Sequence, residues 1–284
     1  MDKHSIKKSG QRDGTRVFSY ADRKNLIDVS SNFANFMRKS HPEVKQVRQI
    51  KSSHVQSFLN EKAKNCSTKT IQQYQSKFSK LEKLINSTYR SSKTSFSKGI
   101  IVPQGKEKQR SLEMKRNHYN KLITNISHSR SQAVPAIQLA GRFGLRVSET
   151  VNLKGKDIQL AKNTLHIHES KGGRSRDILI TKEADRAFLE ALKSQYGDNQ
   201  RIVPIKEDSV NRFLQRELGK IGLGQYQAHG TGIHAIRKMY AQERYDEFRQ
   251  KGLSIQTSLD KTSELLGHGD NRNELMREYV LNIH

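Results

Sequence analysis

Four short stretches of this 284-residue chain hold the residue types that phosphodiester chemistry needs. They are GLRVSE with Arg146, SKGGR with Lys171, HAIR with His234 and Arg237, and GHGDNRNELMREY with His268 and Tyr279. Two guanidiniums clamp non-bridging phosphate oxygens in bidentate fashion and stay charged at any working pH. Two histidines donate hydrogen bonds to a phosphorane-like transition state or carry the proton of the nucleophile. A lysine on a turn can protonate the leaving oxygen. A tyrosine hydroxyl, weakly nucleophilic at its ordinary pKa near 10, becomes competent beside those cations. The set needs no metal ion, and the sequence offers no convincing metal cluster or cofactor motif.

Each residue alone also has an ordinary reading. Arg146 can be a surface arginine at a helix start, Lys171 a solvated turn residue, and His234 with Arg237 a surface pair on one helix face. His268 can be a helix C-cap residue, and Tyr279 a half-buried core tyrosine. His229 lacks an arginine three positions on and reads as a loop histidine.

Composition narrows the partner. The chain has 52 Lys and Arg against 28 Asp and Glu, a formal charge of +24. Such a surplus calls for a polyanion, and nucleic acid leads because each neutralised phosphate releases condensed counterions. An acidic membrane surface would attract the same charge, but no apolar run is long enough to span a bilayer and no signal-peptide core is present. A soluble, intracellular protein is expected. The lone Cys66 excludes an intramolecular disulfide framework and any multi-cysteine metal site.

The residues must be positioned by elements whose periodicity is readable. Residues 1–20 are basic, lack apolar periodicity and read as a flexible arm. From 21 to 90 the stripes are helical: Leu26, Val29, Phe33 and Phe36, then Val55, Phe58 and Leu59, then Ile71, Tyr74, Phe78, Leu81 and Ile85 behind Ser67 as N-cap. Residues 91–110, polar and punctuated by Gly and Pro, read as an interdomain linker. Residues 111–284 form a longer helical domain interrupted by TLHIHES and SRDILI, two β-prone arms around a KGGR turn. Helical stripes resume and end in NRNELMREYVLNI. The expected class is α-rich α+β with a small antiparallel sheet.

Taken in order, these stretches resemble the signature of the tyrosine recombinases, the phage-integrase family: Arg, Lys, His-x-x-Arg, His or Trp, Tyr. GLRVSE matches the arginine box at Arg146, with Glu149 at its acidic position. SKGGRSRDILI matches the hairpin that carries the lysine, so Lys171 inherits that role, and HAIR supplies His234 and Arg237. LLGHGDNRNELMREY matches the Leu-Gly-His box followed by the nucleophile, Tyr279. The eleven positions from His268 to Tyr279 slightly exceed the commonest family spacing, and Asn271 with Glu274 can cap the tyrosine's helix and absorb the difference.

The resemblance implies a helical core-type DNA-binding domain over 21–90 and a catalytic domain over 111–284. It implies a metal- and ATP-independent strand transferase that passes through a 3′-phosphotyrosine. Double-stranded DNA is the implied partner, with a homo-tetramer on two sites, accessory DNA-bending or directionality proteins, and a cytoplasmic, nucleoid-associated location. Many members dock a C-terminal tail on a neighbouring protomer; the five residues after Tyr279 argue against that mode here. Two other readings share the features: a topoisomerase with the same pocket, and a DNA-binding regulator whose pocket is silent.

Overall fold

The helical stripes are helices in the structure, a computed structural model that describes residues 16–17, 19–89, 93–106, 112–170, 174–227, 232–269 and 272–284. The chain divides into two units, Met1–Lys108 and Gln109–His284. Among the described residues, no helix is long and apolar enough to cross a membrane.

The first unit packs α1 (Tyr20–Ser40), α2 (Ser52–Ala63) and α3 (Thr68–Thr88). Ser19 and Ser67 open α1 and α3 as N-caps: their hydroxyls accept from the amides of Asp22 and Thr70, at 3.1 and 3.3 Å. Phe33, Phe58 and Phe78 meet edge to face in the core, with ring centroids 4.9–5.7 Å apart.

The 91–110 segment differs from the expected linker, because its described part packs on this unit. Phe96 is buried in the same apolar cluster, and Ile100 and Val102 pack against it. Helix side chains satisfy the segment's backbone. Glu82 accepts from the amides of Phe96 and Ser97, both at 2.6 Å, and Gln56 bonds both the amide and the carbonyl of Ile101 at 2.9 Å. A polar composition hid this anchoring because one buried ring, Phe96, and polar helix side chains such as Glu82 and Gln56 supply most of it.

The second unit contains α4 (Arg116–Ile126), α5 (Ala133–Phe143), α6 (Val147–Asn152), α7 (Glu183–Gln195), α8 (Glu207–Lys220), α9 (Gly232–Gln250), α10 (Ile255–Leu265) and the short α11 (Asn273–Met276). Its core includes Leu122, Ile137, Leu214 and Ile236, none of them exposed. Burying each such side chain is worth roughly 1.5–3 kcal/mol.

The two expected arms are β2 (Thr164–Ser170) and β3 (Arg174–Leu179), antiparallel as anticipated, and β1 (Ile158–Gln159) adds a third strand too short to show periodicity. Leu165, Ile167 and Ile178 turn inward from this sheet. The terminal stripe is a correction: α11 stops at Met276, and Tyr279 lies in the turn beyond it. The following backbone is drawn onto α9 instead. Gln242 accepts from the amides of Leu281 and Asn282, each at 3.0 Å, and donates to the Asn282 carbonyl at 2.9 Å.

Candidate active site

Arg146 sits at the N-cap of α6 in extended conformation. Three residues into the helix Glu149 reaches back: the Arg146 amide donates to Oε2 at 2.8 Å, and Arg146 Nη1 donates to Oε1 at 2.7 Å. The capping geometry therefore fixes the arginine's direction as well as the helix start.

Arg237, on α9, is entirely buried, which removes the surface-pair reading for it. Its guanidinium donates to the carbonyl of Gly144, two residues before Arg146, and to that of Leu266 at 2.5 Å, two residues before His268. One side chain thus fastens two of the stretches singled out from the sequence. His234, one turn earlier, is exposed.

His268 is held by the end of α10. Gly267, at φ +69°, lets its own amide reach the Glu264 carbonyl at 2.8 Å and the His268 amide reach Ser263 at 3.0 Å. These two bonds form the usual glycine-closed helix end. The C-cap reading of His268 is thus true of its backbone, while its ring points to the arginines. Nε2 lies 3.2 Å from Arg146 Nη2 and 3.4 Å from Arg237 Nη2. Guanidiniums only donate, so this nitrogen accepts and the ring is uncharged.

Tyr279 is buried at the centre. Its ring centroid is 5.0 Å from those of both His234 and His268, and the Arg237 guanidinium lies 5.6 Å from it. A cavity of about 250 Å³ adjoins, lined by Arg146, Ser148, Asn211, His234 and Arg237 among others. A larger cavity of about 800 Å³ elsewhere on this unit is lined by internally matched pairs such as Arg142 with Asp185, and by none of the six residues expected to do the chemistry.

The structure therefore brings together Arg146, Glu149, His234, Arg237, His268 and Tyr279. Lys171, His229 and Asn271 lie outside the described residues.

Sequence reasoning missed Arg176. Its fork donates to both Glu149 oxygens, at 2.9 and 3.0 Å, and its Nε donates to the Leu265 carbonyl at 3.1 Å. A signal was present, because strand alternation places Arg176 on the face of Ile178 and Ile180, both buried. An arginine on an inward face needs a carboxylate.

The electrostatics follow from this crowding. Burial by itself would raise the Glu149 carboxyl, but the Arg176 fork and the charge of Arg237 hold it well below the usual carboxylate range. Burial, reinforced by Arg146, lowers Arg237 to about 10, so it stays charged at neutral pH. Burial and then Arg237, Arg146 and Arg176 push His268 down to about 3.

The His268 shift has a consequence for stability. The unfolded histidine takes a proton near its ordinary value of 6.5 and the folded one near 3, so protons favour unfolding between those values. Between pH 6.5 and 4.5, where Glu149 does not yet contribute, the melting temperature of His268→Gln should fall less with falling pH than that of wild type, while Glu113, which burial raises to about 7 and whose proton favours the folded state, acts equally on both. Equal slopes for the two proteins would refute the assignment.

Gly267 is constrained twice. Besides its positive φ, a Cβ there would stand 2.7 Å from Arg176 Nη1, whereas at Gly252, with φ +79°, it would meet nothing within 4 Å. Gly252→Ala therefore reads the backbone cost alone, about 1–2 kcal/mol. Gly267→Ala should cost more, about 2–4 kcal/mol in denaturant unfolding, and should slow any reaction that uses His268.

With this geometry in place, comparison with known proteins assigns the family. A sequence profile of the phage integrase family matches residues 113–272, more than half of the chain, and the chain belongs to that family. The tyrosine recombinase XerC of Bacillus pumilus is 31% identical over 156 residues, which cover 50% of this chain and 46% of that protein. The chain spans less than half the length of the curated relatives it matches. Lambda integrase fragment 75–356, solved as a dimer bound to a COC′ core site, superposes with a TM-score of 0.62 at 18% identity, covering 97% of this chain and 94% of that one. XerH site-specific recombinase bound to palindromic difH substrate, a post-cleavage complex, superposes with a TM-score of 0.65 at 18% identity, covering 90% and 75%. At these identities the likeness is one of fold, and it agrees with the α-rich architecture and small antiparallel sheet.

Proposed function

We propose that the chain is a site-specific DNA recombinase that cuts and rejoins strands through Tyr279. The observation that carries this reading is the convergence of Arg146, Arg237, His234 and His268 on one buried tyrosine beside a cavity lined by cations. A phosphodiester in that cavity meets two guanidiniums that match its non-bridging oxygens. Its negative charge draws them away from His268, whose uncharged ring is then placed to accept the phenolic proton. The Tyr279 oxygen forms a bond to phosphorus as the bond to the 5′-oxygen breaks, and Lys171 supplies the proton that the 5′-hydroxyl retains. A 5′-hydroxyl from a partner duplex reverses the step, so the energy of the phosphodiester is conserved without ATP or a metal ion.

Double-stranded DNA is the substrate, and the +24 charge supplies its sequence-independent affinity. The lambda integrase and XerH structures, both bound to DNA, support this choice. A homo-tetramer on two sites, assisted by DNA-bending or directionality proteins, carries out integration, excision or resolution on the nucleoid. The resolved lambda integrase tetramer on a Holliday junction supports that assembly.

The test uses nicked duplexes tiled across the DNA that flanks the gene, in EDTA, scored for an adduct that survives SDS. An adduct on one duplex establishes the chemistry and locates the site. Relaxation of arbitrary plasmids without a preferred site would instead identify a topoisomerase. Tight binding with no adduct on any duplex would leave a DNA-binding regulator.

A further inference from the structure

Three guanidiniums converge on one buried carboxylate, and only two of them line the cavity. Glu149, whose side chain is 2% exposed, takes the Arg176 fork on both oxygens, the Arg146 amide on Oε2 and Arg146 Nη1 on Oε1. A carboxylate offers about four lone-pair sites, and these bonds fill them. The next donor stands close: Arg237 Nη1 is 3.7 Å from Oε2.

With Arg176 removed, two acceptor sites on Glu149 would open on a side chain that is almost fully buried. An unsatisfied buried carboxylate is costly, so the neighbouring donors would move to it. Arg237 would leave the Gly144 carbonyl, and Arg146 would turn further from the cavity. Arg176 also ties β3 to the turn that presents His268, through the Leu265 carbonyl and its packing on Gly267.

On the reading that Tyr279 cleaves DNA, we infer that Arg176 is a positioning residue for that step. As the counter-ion of Glu149 it keeps the carboxylate from pulling Arg146 and Arg237 off the phosphate.

A counter-ion and a mere strut answer differently to a second substitution at Glu149. The experiment is single-turnover adduct formation on the nicked duplex that wild type cleaves, with Arg176→Met, Glu149→Gln, the double variant and Arg176→Lys, each checked by thermal melting. Arg176→Met should react about 100-fold more slowly. Adding Glu149→Gln to it should restore at least about tenfold, because a neutral amide no longer competes for the two guanidiniums. Arg176→Lys, which keeps the charge but not the fork, should fall between wild type and Met. Should the Met variant not fold, the Lys variant carries the same comparison, and Glu149→Gln should speed it.

Losses that add or deepen in the double variant would overturn the inference, since a strut gains nothing from losing a second contact. So would wild-type rates in Arg176→Met. These outcomes leave the cleavage reading intact. That reading fails instead if wild type forms no adduct on any duplex, or if Tyr279→Phe still forms one, and the inference then falls with it.

Discussion

Tyr279→Phe is expected to lower adduct formation by at least about 10,000-fold, the scale seen when a covalent nucleophile is deleted from an otherwise intact site. The change removes one oxygen and nothing else. The ring keeps its place between His234 and His268 and under Arg237, so the fold and the cavity persist. Duplex affinity should stay within a few-fold of wild type, because the arginines and the basic surface that hold the phosphates are untouched. Gel-shift and SDS-resistant adduct assays on one duplex measure both quantities. An adduct that survives in the Phe variant would move the nucleophile elsewhere, and a lost adduct accompanied by lost binding would make Tyr279 a structural residue.

Arg237→Met is expected to damage both chemistry and fold. Two buried carbonyls, of Gly144 and Leu266, lose their donor. Each unsatisfied group costs about 1–3 kcal/mol, so a loss of about 2–6 kcal/mol in denaturant unfolding is expected. Arg237→Lys keeps the charge, but a single ammonium cannot span two carbonyls and a histidine in the same directions. It should retain more stability and still lose about 100- to 1,000-fold in cleavage, the cost of one oxyanion donor. A Met variant that melts and cleaves like wild type would remove Arg237 from both roles.

What the sequence revealed and what it hid divide along physical lines. The stripe from Ile71 to Ile85 and the arms TLHIHES and SRDILI were legible because burial on one face imposes a period, and a period survives many individual substitutions. The positions of Arg146, His234, Arg237, His268 and Tyr279 were legible as an ordered pattern, though only the structure shows that they meet. Phe96 was hidden because one anchoring ring has no period. Arg176 was hidden because a charged residue in a strand arm looks solvated until its alternation with Ile178 and Ile180 is followed. The halt of α11 before Tyr279 was hidden because it depends on Gln242, thirty-seven positions upstream, outcompeting helical hydrogen bonds at Leu281 and Asn282.

That grip by Gln242 sets a leash. The pinned Leu281 amide lies two positions after Tyr279, and an extended chain spans at most about 3.3–3.6 Å per residue. While those bonds to α9 last, the backbone at Tyr279 stays within roughly 7 Å of the Leu281 amide. Helix α9 is also the helix that carries Arg237. A DNA end esterified to Tyr279 would inherit the same confinement, parked beside the guanidinium that received it. Rejoining would then be a search by the incoming strand alone, with the cut end already at its destination.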